Sequence, residues 1–365
     1  MKLEKIALLG VASVTAIGLS LSATPAFAAI WNGADINWAS GGSWDINKDS
    51  LNFYGPETTE WAGVTGRSVF DDGLQVYANA GSTSLQCSTA DLSPAADGSG
   101  DQILTCDPED MPVGPTGELM AVTVQMRFFA DNQTVRQIIT VKNTTGSAVS
   151  GAEILSYNNF YQDSKTNLVY SNTLGSLISN WPTGNSDAND VLTEADNIFV
   201  ADCPATPCNP SFTGANVMQV NGPDAQVHST LFGNPPLGGD AANGNAGERA
   251  YFSFELPALA VAQEVSVVVM NRTYLFLLGA NDAETNANAL VASQDAVAFA
   301  EAGGWNCDQA MVGIADPTKV VNFNCRSSLA LPDTGLNAAP LALGAGTLML
   351  AGVALVVALR RRARA

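Results

Sequence analysis

The side chains able to do chemistry are few in kind. The chain has one histidine, His228, placed between Val227 and Ser229, and neither a G-x-S-x-G nor an H-E-x-x-H sequence accompanies it. A His-based triad or a zinc protease therefore lacks its parts. Carboxylates are abundant, and two of them at a set separation are all a glycosidase needs, but no pair stands out from the rest. Acid-rich segments at Asp71-Asp72, at 107–110 and at 185–197 could offer oxygens to calcium. None has the spacing of an EF-hand loop, so no cofactor is expected, with calcium as the ion these segments would suit. Four tryptophans, Trp31, Trp38, Trp44 and Trp61, gather near the N-terminus with Phe53 and Tyr54 between them. Flat aromatic faces of this kind either stack on sugar rings as a glycan platform or fill a core.

Six cysteines, Cys87, Cys106, Cys203, Cys208, Cys307 and Cys325, form an even set. In an exported chain such a set reads as disulfides, with 15 pairings open. Pairing between sequence neighbours, each bracketing a turn-rich loop, is the expected arrangement. A zinc site at Cys203-x4-Cys208 would need further Cys or His ligands, and the chain has a single histidine.

The ends of the chain indicate where this chemistry is carried out. Lys2 and Lys5 precede a charge-free apolar stretch that ends in Ala26-Phe27-Ala28 after Pro25. This is the pattern of a cleavable secretory signal over residues 1–28, with cleavage after Ala28. Near the other end, residues 338–359 carry no charge and lead into Arg360, Arg361, Arg362 and Arg364. As a helix the run would reach roughly 33 Å, enough for a hydrocarbon core. Its basic tail, 360–365, would stay on the cytoplasmic side.

Directly before that run stands Leu331-Pro332-Asp333-Thr334-Gly335. A sequence L-P-x-T-G arises by chance at roughly one position in 10⁴ to 10⁵, and here it coincides with an apolar span and a basic stop. The arrangement resembles the sorting signal of Gram-positive LPXTG surface proteins. The resemblance covers the signal peptide and the last ~35 residues, and it implies a sortase as partner. The sortase cysteine would attack the carbonyl of Thr334 and cleave Thr334–Gly335, and an amine of the peptidoglycan precursor would then take up Thr334. Leu331 and Pro332 would fill the recognition groove, with Asp333 at the variable position. Pro332 keeps the motif bent and extended, as a substrate peptide must be. The implied place is the outer face of the cell wall, reached through a transient membrane-bound precursor. A sortase-built pilus backbone would need a lysine in a V-Y-P-K-like context, and Lys48, Lys142, Lys165 and Lys319 have none. A minor pilus subunit stays open.

Trimming the two ends removes six basic residues and one acidic one from totals of 16 and 35, leaving 10 against 34. A surface near −24 repels phosphate backbones, so nucleic acid is not an expected partner. Within 29–330 strand signals dominate. The runs 74–77, 121–128, 135–141 and 153–157 are β-rich, and the Asn143-Thr144-Thr145-Gly146 sequence between the last two predicts a hairpin. Further strands are expected at 198–200, 216–220, 251–255 and 264–278. One Ala-rich helix is expected over 282–302, capped by Asn281 or Asp282, stopped by Gly303-Gly304, and docked through Leu290, Val297 and Phe299. The fold class is mainly β: a large β-sandwich-like exported domain, one or two packed units, with one late helix and a C-terminal transmembrane helix in the precursor. Its function reads as that of a structural or adhesin-like ligand-binding component, with a glycan or a host or neighbouring-cell surface ligand as partner. A wall-linked carbohydrate-active enzyme on the same sandwich is the alternative.

Overall fold

The computed structural model describes most of residues 70–325, apart from loops that include 161–166, 181–191, 203–213 and 233–248, together with short strands between 34 and 65. Those short strands are β1 (Ala34–Asn37), β2 (Ser43–Ile46), β3 (Pro56–Glu57), β4 (Glu60–Trp61) and β5 (Val64–Thr65). The main body follows with β6 (Phe70–Ala78), β7 (Thr83–Ser84), β8 (Ala90–Pro94), β9 (Gln102–Cys106), β10 (Glu109–Pro112), β11 (Leu119–Phe128), β12 (Thr134–Lys142) and β13 (Glu153–Phe160). It continues with β14 (Asn167–Ser171), β15 (Gly175–Ser176), β16 (Ile198–Asp202), β17 (Ala215–Gln219), β18 (Ser229–Phe232), β19 (Arg249–Glu255) and β20 (Glu264–Tyr274). Helices α1 (Asp282–Glu301) and α2 (Cys307–Met311) come next, followed by a 3-10 turn at Pro317–Lys319.

The strands make a ten-stranded sheet in the order β15-β14-β16-β17-β20-β12-β11-β9-β8, with β10 also on β11, and a five-stranded sheet in the order β18-β19-β13-β6-β7. The two sheets share one apolar core, in which Val124, Met126, Ile139 and Val267 of the large sheet meet Leu74, Ile154, Phe252 and Phe254 of the small one. The β-sandwich expected from the sequence is therefore present.

The opposite face of the large sheet is covered too. Ile138, Val200, Val217, Val268 and Met270 pack there against Ala296, Val297, Trp305 and Phe323. Burial on both faces explains why β16, β17 and β20 read as nearly unbroken apolar runs rather than alternating ones. Strand β11 does alternate, because its outward side chains are only partly covered.

Helix α1 follows its expected limits closely. Asn281 is the cap, its side chain accepting from the Glu284 N–H at 3.0 Å. Asp282 and Glu284 in the first turn suit the positive end of the helix. At the other end Gly303 and Gly304 take φ of 97° and 64°, and their N–H groups bond back to Ala300 and Phe299. The docking face is as expected in part: Val297 is buried and Phe299 packs against the same cluster, while Leu290 stays half-exposed. The rest of the face is built of Ala289, Ala292, Ser293, Ala296 and Ala300. Small side chains let the helix axis come close to the sheet, and the Ser293 hydroxyl can then donate to the buried Asp202 carboxylate on β16.

The expected hairpin around residues 143–146 is also corrected. β12 lies in the large sheet and β13 in the small one, so residues 143–152 carry the chain between layers. The Asn143 side chain explains the departure. It is fully buried, and its Nδ2 donates to the carbonyls of Ser147, Leu259 and Ala260 at 2.8–3.2 Å, turning the chain out of its sheet. The tight hairpin is instead β11–β12, paired from Phe128↔Val135 to Ala121↔Lys142.

Two disulfides join sequence neighbours as expected, Cys87–Cys106 and Cys307–Cys325. Cys203 and Cys208 lie outside the described residues. So do the run 338–359, the motif 331–335 and Ala28. Among the described residues no helix is long and apolar enough to cross a membrane.

One buried amide helps to hold the segment after α2 to the large sheet. Strand β17 ends at Gln219, opposite Met270, so β17 leaves the outer edge of β20 open at Val268 and the residues before it. Asn322 fills the gap: its Oδ1 accepts from the Val268 N–H at 2.8 Å, and its Nδ2 donates to the carbonyls of Val268 and Val220 at 2.6 and 2.7 Å. An Asn322→Ala substitution leaves these buried backbone groups unpaired and is expected to destabilise the fold by about 1–3 kcal/mol. A urea-unfolding midpoint lowered without change of slope is the measurement.

Candidate functional site

On β12, the side chains of Thr134, Arg136, Ile138 and Thr140 point away from the sandwich core. The register aligns Arg136 with Arg127 of β11 on one side and with Met270 of β20 on the other, and Thr134 with Arg272. Three arginines on three adjacent strands thus share one patch of an otherwise apolar face. This is half of the six arginines between residues 29 and 334.

Two of the three are committed to holding structure. Arg127 is 2% exposed; its Nε and Nη2 donate to Asp101 and Asp97 at 2.6 Å, and its Nη2 also reaches the Ser99 hydroxyl at 3.1 Å. Asp101 is occupied on both oxygens, since its Oδ1 also accepts from the Ala130 N–H at 2.9 Å. Hydrogen bonds from Ser99 and then from Arg127 hold the Asp97 carboxyl well below its ordinary 3.8. Arg136, fully buried, donates through Nη1 to the carbonyls of Ala310 and Val312 at 3.0 and 2.6 Å, the C-terminal end of α2. Burial, and secondly the charge of Arg127, lower its pKa to about 9, so it remains cationic at neutral pH. Gly313 follows with φ of 70°, and a Cβ there would lie 2.5 Å from Arg127 Nη1, so the close approach requires glycine.

Residues 312–316 therefore cross the face as a strap and leave a hollow on either side. The lower hollow, about 330 Å³, has a floor of Thr105, Thr123, Gln125, Thr140 and Ser266, with Lys319 and Asp316 at its mouth. The upper one, about 460 Å³, is lined by Arg272, Thr134, Phe129, Phe299, Trp305 and Asp308, with Asp101 behind Arg127. Its aromatic wall is ordered by contact: the rings of Phe299 and Trp305 meet edge to face, 4.9 Å between centroids. The Arg272 guanidinium lies 4.6 Å from the Tyr274 ring centre and 5.2 Å from that of Phe299. Aromatic faces, a guanidinium, a hydroxyl and a carboxylate in one concavity suit binding of a small polar ligand. Two-carboxylate catalysis has little to draw on here: Asp101 is fully engaged, leaving Asp308 without a free partner carboxylate among the described lining residues.

Of the tryptophans that the sequence offered as a glycan platform, Trp31 and Trp38 fall outside the described residues, as does His228, and Trp44 and Trp61 occur on β2 and β4, in small sheets separate from the two of the sandwich. Of the acid-rich segment 185–197, Asp196 is described. Its carboxylate accepts from Thr173 and Thr193, hydroxyl and N–H in each case, at 2.6–3.2 Å. Burial raises its pKa, but these hydrogen bonds outweigh burial and the net direction is down. It pins a turn and is not arranged as a metal ligand. Among the described residues no cluster of three or more His, Cys, Asp or Glu side chains could hold a metal ion.

No family model matches the chain, and no curated protein sequence matches it. Among solved structures the chain is similar to a TPR-domain containing protein from Parabacteroides distasonis, at 11% identity and a TM-score of 0.39, over 66% of this chain and 48% of that one. It is similar to an α-N-acetylgalactosaminidase from Bifidobacterium bifidum at 11% identity and a TM-score of 0.37, over 66% and 36% of the two chains. A galactose mutarotase-like protein from Lactobacillus casei gives 10% identity and a TM-score of 0.30, over 66% and 99%. The chain thus spans about half, or less, of the length of the first two. Likeness at this level carries no functional information.

Two outcomes follow from the arginine patch. Arg127→Met strands the buried Asp101 carboxylate and should cost about 3–5 kcal/mol, part of which returns when Asp101→Asn is added; paired denaturation curves measure both. Because Asp97 is depressed in the fold, its contribution is complete above about pH 4 and is lost as pH falls through its lowered value. Acid unfolding of an Asp97→Asn variant should therefore depend less on pH below 4 than that of the parent chain.

Proposed function

We propose that this chain is an exported surface protein, anchored covalently to peptidoglycan by a sortase through Thr334, whose sandwich presents a ligand-binding hollow beside the C-terminal strap. One observation carries the anchoring: Leu331-Pro332-Asp333-Thr334-Gly335 stands immediately before an uncharged run of 22 residues (338–359) and a tail holding four arginines. The signal-like N-terminus and the two disulfides are consistent with the same route, since disulfides persist in oxidising compartments.

The hollow favours a binding role over turnover. Its polar groups are set against aromatic faces, which hold a ligand by contact and orientation. Of the two carboxylates in its lining, Asp101 is already engaged on both oxygens. The function proposed is therefore that of a wall-displayed binding module rather than of a carbohydrate-active enzyme or a minor pilus subunit.

In a sortase-bearing Gram-positive host, the parent chain should stay with sacculi boiled in detergent and be freed by muralytic digestion. Thr334→Ala should move it to the membrane fraction. Equal retention of the variant on boiled sacculi would refute the anchoring.

A further inference from the structure

Within the upper hollow, Thr134 and Arg272 stand directly opposite one another on β12 and β20, and both line the cavity. Thr134 is 1% exposed, and its hydroxyl has no hydrogen-bond partner. The Nε of Arg272 is likewise buried and unpaired. The ion pairs among the described residues engage Arg127 and Lys319, not Arg272. Most buried polar groups in folded proteins find partners, so an unpaired hydroxyl and an unpaired guanidinium Nε on two residues that line one cavity call for an explanation.

We infer that the Thr134–Arg272 pair is the recognition element for a small organic carboxylate, bound with its body against Phe299 and Trp305. The guanidinium plane is fixed by the rings of Tyr274 and Phe299, leaving its N–H edge to donate to both oxygens of a carboxylate. The Thr134 hydroxyl donates to the nearer oxygen. The charge of the ligand follows from its surroundings. Arg127 is already neutralised by Asp97 and Asp101, and Arg136 does not line this cavity, so Arg272 is the one arginine of the lining without a carboxylate partner. With Asp308 on the cavity wall and a strongly acidic protein around it, a monoanion fits and a doubly charged phosphate is opposed. A neutral ligand would leave the guanidinium without a counter-charge. The carboxylate could belong to a uronic acid or to an amino acid or peptide end; the chemistry at Arg272 is shared.

This inference rests on the hollow being a binding site, and it is independent of the anchoring. Calorimetric titration of the full chain in mild detergent tests it, using galacturonate and N-acetylalanine beside their uncharged counterparts, galactose and N-acetylalaninamide, and inorganic phosphate. One of the two carboxylates should bind at least about tenfold more tightly than its neutral counterpart, and which one does identifies the source. Arg272→Gln should reduce that affinity about tenfold or more. Thr134→Val keeps the shape and removes an unpaired buried hydroxyl, so it should weaken binding severalfold while the melting temperature holds or rises, a combination a purely structural threonine does not give. Unchanged affinity in Thr134→Val or Arg272→Gln overturns the assignment. Neutral counterparts binding as well as the acids, with loss in Phe299→Ala, overturns the carboxylate and leaves the binding role standing. Absence of heat from every compound with the folded chain removes both.

Discussion

The outer face of the large sheet depends on two guanidinium groups facing each other across β11 and β12. Like charges opposite one another in a ladder repel, and desolvation adds to that cost for both. The chain resolves the conflict by dividing the counter-charges. Arg127 takes the two carboxylates of the 97–101 turn, and Arg136 takes the carbonyl ends of α2. Each solution fixes something distant in sequence: the first ties a turn between β8 and β9 to the sheet, and the second holds the last described segment across it. The strap is gripped where it begins, at the carbonyl of Val312, and the hollows lie on either side of it.

That arrangement also separates structural from available charge. Three arginines are brought to one patch, and two are consumed where they stand. The third, Arg272, rests between aromatic rings with its polar edge uncommitted. In a chain with more than twice as many acids as bases, one uncommitted cation in a concave, ring-lined setting is a local exception to the overall field.

Much of the sandwich was legible in the sequence. Strands β11, β12, β16, β17, β19 and β20 fall on the β-rich runs, and α1 on the Ala-rich one, because period and propensity are local properties. The neighbouring disulfides Cys87–Cys106 and Cys307–Cys325 were legible for the same reason, each closing one local loop. What failed was non-local. The turn sequence at 143–146 looked like a hairpin, yet Asn143 bonds to carbonyls more than a hundred positions away and redirects the chain. The helix face was sought among large side chains, and Val297 and Phe299 do pack there, but four alanines and Ser293 complete it in place of Leu290. The hollow was invisible because Arg127, Thr134, Arg272 and Trp305 become neighbours only through strand register and the C-terminal crossing. A charged residue inside an apolar run, as at Arg136 and Arg272, was the one available signal.

Were the chain tethered at Thr334, as proposed, the bond between Cys307 and Cys325 would have a mechanical meaning. Tension arriving from such a tether would reach Cys325 first and pass through the sulfurs to Cys307, then into Trp305 and α1. Residues 308–324 would be bypassed by the load. Traction on the cell surface would thus leave the carbonyls of Ala310 and Val312 seated on their arginines, and the hollow beside them would keep its shape while the molecule is pulled.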